Sequence, residues 1–290
     1  MSVFGKGSSL TSALTRLYGE AAERDAILMR LGDTDCAVLG RDLERLGQIP
    51  AAHVRMQNEA TDLGSTGCAA HTILQAAAEN AVCELIERLA IERWWRGQVE
   101  IVHLGPSWAE IDGFEAYVAQ LRKEAIASRQ TEVFSLGAWG PVQTVMARSR
   151  ELDGGEVAVA FAAGRRLEHT ARRAVLELAS VELETSELRA NRNIDARFER
   201  ESTLGLIAAR QEVLAGSHAA LFDACGAPIP ADVETPQTVG ALLEGLANVD
   251  LDIRLVDLTR PETGLPACRA MFLDPSLQPA TPKGFELSPL

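Results

Sequence analysis

Residues Glu84-Leu85-Ile86-Glu87-Arg88-Leu89-Ala90 repeat the polar positions of an earlier segment, Glu20-Ala21-Ala22-Glu23-Arg24-Asp25-Ala26. The pattern Glu-x-x-Glu-Arg-x-Ala therefore occurs twice. In a helix, positions i and i+3 share a face, so each copy aims two carboxylates at one spot. In the second copy the polar residues form a narrow stripe between Val82, Cys83, Leu85, Ile86 and Leu89. Charges in such surroundings must be paired or metal-bound, because bare burial is costly. Two pairs supply four hard oxygen donors, a set suited to Mg²⁺ bridged to phosphate oxygens. A solvated charged face or a buried ion-pair network would show the same pattern, and spacing alone does not separate the readings.

Outward from these copies, apolar positions Leu10, Ala13, Leu14, Leu17, Ala21 and Ile27 recur at helical spacing, which predicts a first helix over 8–31 capped by the Ser8-Ser9 pair. A second helix is expected after Gly64-Ser65-Thr66-Gly67, running from Ala69 to Trp94-Trp95 and apolar on nearly every side, as a core helix is. Strand patterns follow at 99–104, 132–135, 142–147 and 156–161, the last two forming a hairpin around Asp153-Gly154-Gly155, with a helical stretch over 113–128. A long helix is expected over 167–189 and further helical segments over 197–222 and 237–247. Strands are expected at 251–256 and 266–273 before a Pro-rich tail. The class is α+β in a single domain spanning residues 1–290.

Net charge −13 argues against nucleic acid as a partner, since phosphate backbones are held by clustered Lys and Arg. An acidic protein that binds ATP needs a divalent cation between its carboxylates and the phosphates. The five cysteines are widely spaced with no Cys-x-x-Cys pair, so they read as reduced thiols. No window reaches the ~18 apolar residues of a membrane span and no signal peptide opens the chain, so the cytoplasm is the expected compartment. His71 reads as a capping or packing residue, and Trp94 and Trp95 as core anchors.

Four segments resemble the YcaO family. Gly5-Lys6-Gly7, followed by Ser12-Ala13 and then Glu20, Glu23 and Arg24, is similar to the family's Gly-Lys-Gly segment and first Glu-x-x-Glu-Arg. Ser65-Thr66-Gly67-Cys68-Ala69 leading into Glu84, Glu87 and Arg88 resembles its Ser-x-Gly-x-Ala run and second copy. The stretch from Ala171 through Glu177-Leu178 resembles its Ala-Leu-x-Glu-Leu helix, and Val256 to Arg269 its late strand pair. The resemblance covers essentially the whole chain.

It implies mixed sheets with long glutamate-bearing helices lining a nucleotide site. It also implies ATP- and Mg²⁺-dependent activation of backbone amides in a ribosomally made peptide. The products would be azoline or azole heterocycles from Cys, Ser or Thr; thioamide formation and a non-catalytic, partner-binding subunit are the alternatives. By the match, Glu20, Glu23, Glu84 and Glu87 would ligate Mg²⁺, Arg88 would meet ATP phosphate, and Lys6, Ser65, Thr72, Gln75 and Glu177 would contact the nucleotide. Thr72 and Ala76 stand where the family commonly has Asn and Glu, and Ser180 and Glu182 where it has Gln and Arg. Arg260 is then the expected substitute catalytic cation. The family's usual segment before Gly-Lys-Gly is expected to be lacking. The exposed edge this leaves is expected to be covered by a leader-peptide-binding partner in a hetero-oligomer, with a dehydrogenase subunit where azoles form.

Overall fold

The computed structural model describes residues 10–56, 64–104, 114–122, 129–152, 157–191, 222–223 and 237–279. Helix α1 (Leu10–Ile27) leads into the hairpin β1 (Asp35–Leu39) and β2 (Arg45–Pro50). Strand β3 (Cys68–Ala70) precedes the long helix α2 (Leu74–Trp95). Next come β4 (Val102–His103), α3 (Phe114–Arg122), β5 (Arg129–Trp139), β6 (Val142–Glu151), β7 (Val157–Gly164) and α4 (Leu167–Asn191). Helix α5 (Val239–Ala247), β8 (Ile253–Asp257) and β9 (Ala267–Phe272) follow. One sheet has the order β2-β1-β8-β9-β3 and the other β4-β5-β6-β7, and every pairing within them is antiparallel.

Helix α2 explains the arrangement. Its side chains Ala77, Ala78, Ala81, Val82, Leu85 and Ile86 are all fully buried. They share one core with Cys268, Ala270 and Phe272 of β9 and Leu242 and Leu246 of α5. The helix packs against β3 and β9 of the first sheet and against β6 and β7 of the second. A helix clamped between two sheets must be apolar all round, which is the pattern its sequence carries. Helix α4 covers the far face of the second sheet, seating Ala171, Ala174, Val175 and Leu178 on Ala158, Ala160 and Ala162 of β7. Trp94 is fully buried and stacks obliquely on Phe161 and Phe222, the core-anchor role expected of it.

The start of α2 differs from the sequence expectation. Residues 68–70 form β3, paired with β9, and the helix begins at Leu74. Gly67 sets this geometry: its φ is +75°, and a Cβ there would stand 2.3 Å from the Ala270 carbonyl oxygen. Only a glycine allows the two backbones to approach so closely at that angle. The hairpin β1–β2 has no counterpart in the sequence reading, because Asp35–Leu39 is too short and β2 too polar and exposed for period-2 alternation to stand out. The expected helix over 197–222 lies outside the described residues apart from Phe222, and so does the Pro-rich tail beyond Pro279. Cys36, Cys68, Cys83 and Cys268 are buried free thiols; Cys225 lies outside the described residues.

Candidate active site

A cleft of about 680 Å³ opens where α1, α2 and α4 meet the edge strands β3 and β7. Each helix brings one face to it. From α1 come Arg16, Glu20 and Glu23; from α2, Asn80, Glu84, Glu87 and Arg88; from α4, Arg173, Glu177 and Val181. Spacings of three and four place each of these sets in a row on its helix. The floor is built from Cys68, Ala69 and Ala70 of β3 and from Val159 to Ala162 of β7.

The electrostatics show that the two Glu-x-x-Glu-Arg copies converge. Burial raises the Glu23 carboxyl well above the usual carboxylate range, and the charges of Glu84 and then Glu20 raise it further. Burial likewise pushes Glu84 up to about 7, against the lowering pull of Arg88. The charge of Glu84 acting on Glu23 shows that residues far apart in sequence share one field. Arg24 pairs with Glu20 at 2.7 Å and Arg88 approaches Glu84 at 3.8 Å. Glu23 and Glu87 have no ion pair among the described residues. The cleft thus holds more carboxylate charge than its cations neutralise, and a divalent cation would relieve that imbalance.

Among the described residues, no three acidic, histidine or cysteine groups converge closely enough to hold an ion by themselves. Carboxylates presented in pairs fit Mg²⁺, which usually takes one or two protein carboxylates and completes its octahedron with water and substrate phosphate oxygens. The donor set therefore fits Mg²⁺ held together with a nucleotide.

The other expected site residues are distributed differently. Glu177 and Arg88 line the cleft, whereas Ser65, Thr72 and Gln75 are not among its lining residues. Thr72 Oγ1 lies 3.2 Å from His71 Nδ1, and Gln75 donates to Glu79 at 3.0 Å, both on the exposed approach to α2. Lys6 lies outside the described residues. Arg260 is not brought to the cleft. Its guanidinium donates to both carboxylate oxygens of Asp33 and to the carbonyls of Asp25 and Leu28, beyond the C-terminal end of α1. Glu182 faces Arg122, which donates to both its oxygens at 2.8 and 3.1 Å. A cation missing from position 182 is therefore not replaced by Arg260. Besides Arg24 and Arg88, the cleft contains the cations Arg173 and Arg16. Their signal in the sequence was available: each precedes a cleft glutamate by four residues, Glu177 and Glu20 respectively.

Residues 44–272 match the family described as YcaO cyclodehydratase, ATP- and Mg²⁺-binding. The chain belongs to the YcaO family. Among curated proteins, no sequence matches it. A heterocyclase solved in complex with substrate and cofactor superposes with a TM-score of 0.71 at 17% identity, over 92% of this chain and 44% of that one. YcaO from Methanopyrus kandleri, bound with AMPPCP and Mg²⁺, gives 0.66 at 20% identity, over 92% and 77%. The E. coli microcin synthetase McbBCD complex gives 0.65 at 13% identity, over 92% and 80%. The chain thus spans less than half of the heterocyclase, and these likenesses establish a shared YcaO fold. No helix among the described residues is long and apolar enough to cross a membrane.

Proposed function

We propose that this YcaO protein uses Mg-ATP to activate backbone amides of a ribosomally made precursor peptide, so that Cys, Ser or Thr side chains close on them as azolines. The observation that carries this reading is the convergence of Glu20, Glu23, Glu84 and Glu87 with Arg16, Arg88 and Arg173 in one cleft. When bound, ATP supplies the phosphoryl group that turns an amide oxygen into a leaving group, and Mg²⁺ neutralises phosphate charge. The paired glutamates of α1 and α2 would hold the metal from two sides. Arg88 of α2 and Arg173 of α4 would orient phosphate oxygens; a guanidinium offers a planar fork of donors that an ammonium lacks. The buried α2–β9–β7 core keeps these groups fixed relative to one another, so their charge is organised before the reaction begins.

A leader-peptide-binding partner in a hetero-oligomer, with a dehydrogenase subunit where azoles are the product, belongs to this proposal. The resemblance to McbBCD, solved as a complex and also with pro-MccB17 bound, supports it. The test is mass spectrometry of a precursor peptide co-expressed with the chain and its partner. Loss of one water per modified residue, abolished by Glu87→Gln, is the expected result. Exchange of oxygen for sulfur would move the reading to thioamide formation. An unmodified peptide together with no ATP consumption would reject it.

A further inference from the structure

Among the described residues strand β7 pairs only with β6, and its other edge forms part of the cleft floor. The direction of its main-chain groups follows from the ladder. Leu104 N–H donates to the Val133 carbonyl at 2.9 Å, so Val133 turns its polar groups towards β4. Polar groups alternate along a strand, so Phe134 and Glu132 face β6, and their partners Met146 and Arg148 face β5. Val145 and Ala147 therefore face β7, where they meet Ala162 and Ala160. The alternate residues Val159, Phe161 and Ala163 point their N–H and C=O groups out of the sheet. A separate contact agrees: Arg173 Nη1 reaches the Ala163 carbonyl at 3.1 Å from α4.

Arg173 thereby closes one end of the edge. Between it and the start of the strand, the outward groups of Val159 and Phe161 make no hydrogen bond among the described residues. Both residues are nearly buried, at 6% and 9% exposure. Main-chain polar groups in such surroundings need a partner. A nucleobase satisfies the donor and acceptor of a single residue. Here two outward-facing residues repeat about 6.8 Å apart, the two-residue repeat of an extended chain.

We infer that the β7 edge at Val159 and Phe161 takes the peptide substrate as an added strand, main chain to main chain. This rests on the peptide-modifying reading above and specifies how the peptide is held. An added strand lies about 4.8 Å from β7, inside the walls that carry Glu84, Glu87 and Glu177. Main-chain pairing is indifferent to side-chain identity, so residues of different types can be brought in turn to the same carboxylates and cations.

The experiment uses the full chain with Mg-AMPPCP and a displayed library of short, randomised linear peptides carrying a central cysteine. Val159→Pro removes the outward N–H without touching the pairing to β6, because proline is tolerated where a strand's N–H faces away from the sheet. The selected pool is expected to bind Val159→Pro at least about tenfold more weakly than wild type, the loss of one or two hydrogen bonds. Mg-ATP affinity should fall by much less than peptide affinity. N-methylation along a selected peptide should weaken binding at every second position, and this scan decides the matter even if Val159→Pro fails to fold. A pool that binds both proteins equally, no retained pool, a scan without period two, or an equal loss of Mg-ATP affinity would each overturn the inference. The readout is binding, so a chain that pairs with peptides this way yet never consumes ATP would reject the catalytic reading and leave this one standing.

Discussion

Arg260 and Asp33 form a two-pronged pair: Nη1 and Nη2 of the arginine donate to Oδ1 and Oδ2 of the aspartate at 3.2 and 3.0 Å. The same guanidinium also reaches the Asp25 and Leu28 carbonyls. It therefore fastens the C-terminal end of α1, the helix that carries Glu20 and Glu23, to the segment between β8 and β9.

This geometry assigns Arg260 to stability. Arg260→Lys cannot reproduce the fork and leaves a half-buried Asp33 partly unpaired, at a cost of about 1–2 kcal/mol. Urea denaturation should show that loss, while calorimetry on the folded protein should give Mg-ATP affinity within about twofold of wild type. A large loss of affinity with unchanged stability would return Arg260 to the active site.

The pair also gives stability an acid dependence. Its hydrogen bonds from Arg260 hold the Asp33 carboxyl below the usual range. A carboxyl whose folded pKa is lowered contributes stability that is complete above the unfolded value of about 3.9 and is lost as pH falls through the folded value. Wild type should therefore lose stability, as pH falls below about 4, more steeply than Asp33→Asn. Parallel unfolding curves across that window would contradict the assignment.

Glu84→Gln keeps size and removes a charge that burial already disfavours. Turnover should fall by roughly 10²-fold or more. The metal-free protein should melt at a higher temperature than wild type at pH 8, because a desolvated carboxylate is replaced by a neutral amide. Unchanged Mg-ATP binding and turnover would remove Glu84 from the metal site.

Gly67→Ala adds a Cβ where the backbone of Ala270 already stands, at a positive φ. The cost should be about 1–3 kcal/mol. Because β3 lines the cleft, Mg-ATP affinity should fall along with the thermal midpoint. A variant with wild-type stability would show that β3 and β9 can separate at this point without penalty.

Much of this protein was legible in one dimension. The repeated Glu-x-x-Glu-Arg pattern on a helix with apolar flanks identified four of the five glutamates that line the cleft, and α2 advertised its clamped position by being apolar on nearly every side. Both are patterns of residue type along one helix, which a single segment of sequence displays without its partners. Strand β3 was missed because three residues are too few to show a period, and its state is set by pairing with β9 some two hundred residues later.

The distribution of the cations was a matter for the tertiary structure alone. Arg260, Arg173 and Arg16 carry the same side chain, and the Arg-x-x-x-Glu spacing of the last two shows a shared helix face but not which cavity that face meets. Arg260 ends up against Asp33, while Arg173 and Arg16 face the cleft, because helix packing and sheet order determine which charges meet. The open edge of β7 belongs to the same class: whether a main-chain N–H faces a neighbouring strand or a cleft depends on sheet order and register. The sequence by itself determined which residue types and spacings could bind a metal and phosphate. Folding decided which of them are neighbours, since Coulomb interactions and hydrogen bonds act over distances in space and carry no memory of separation along the chain.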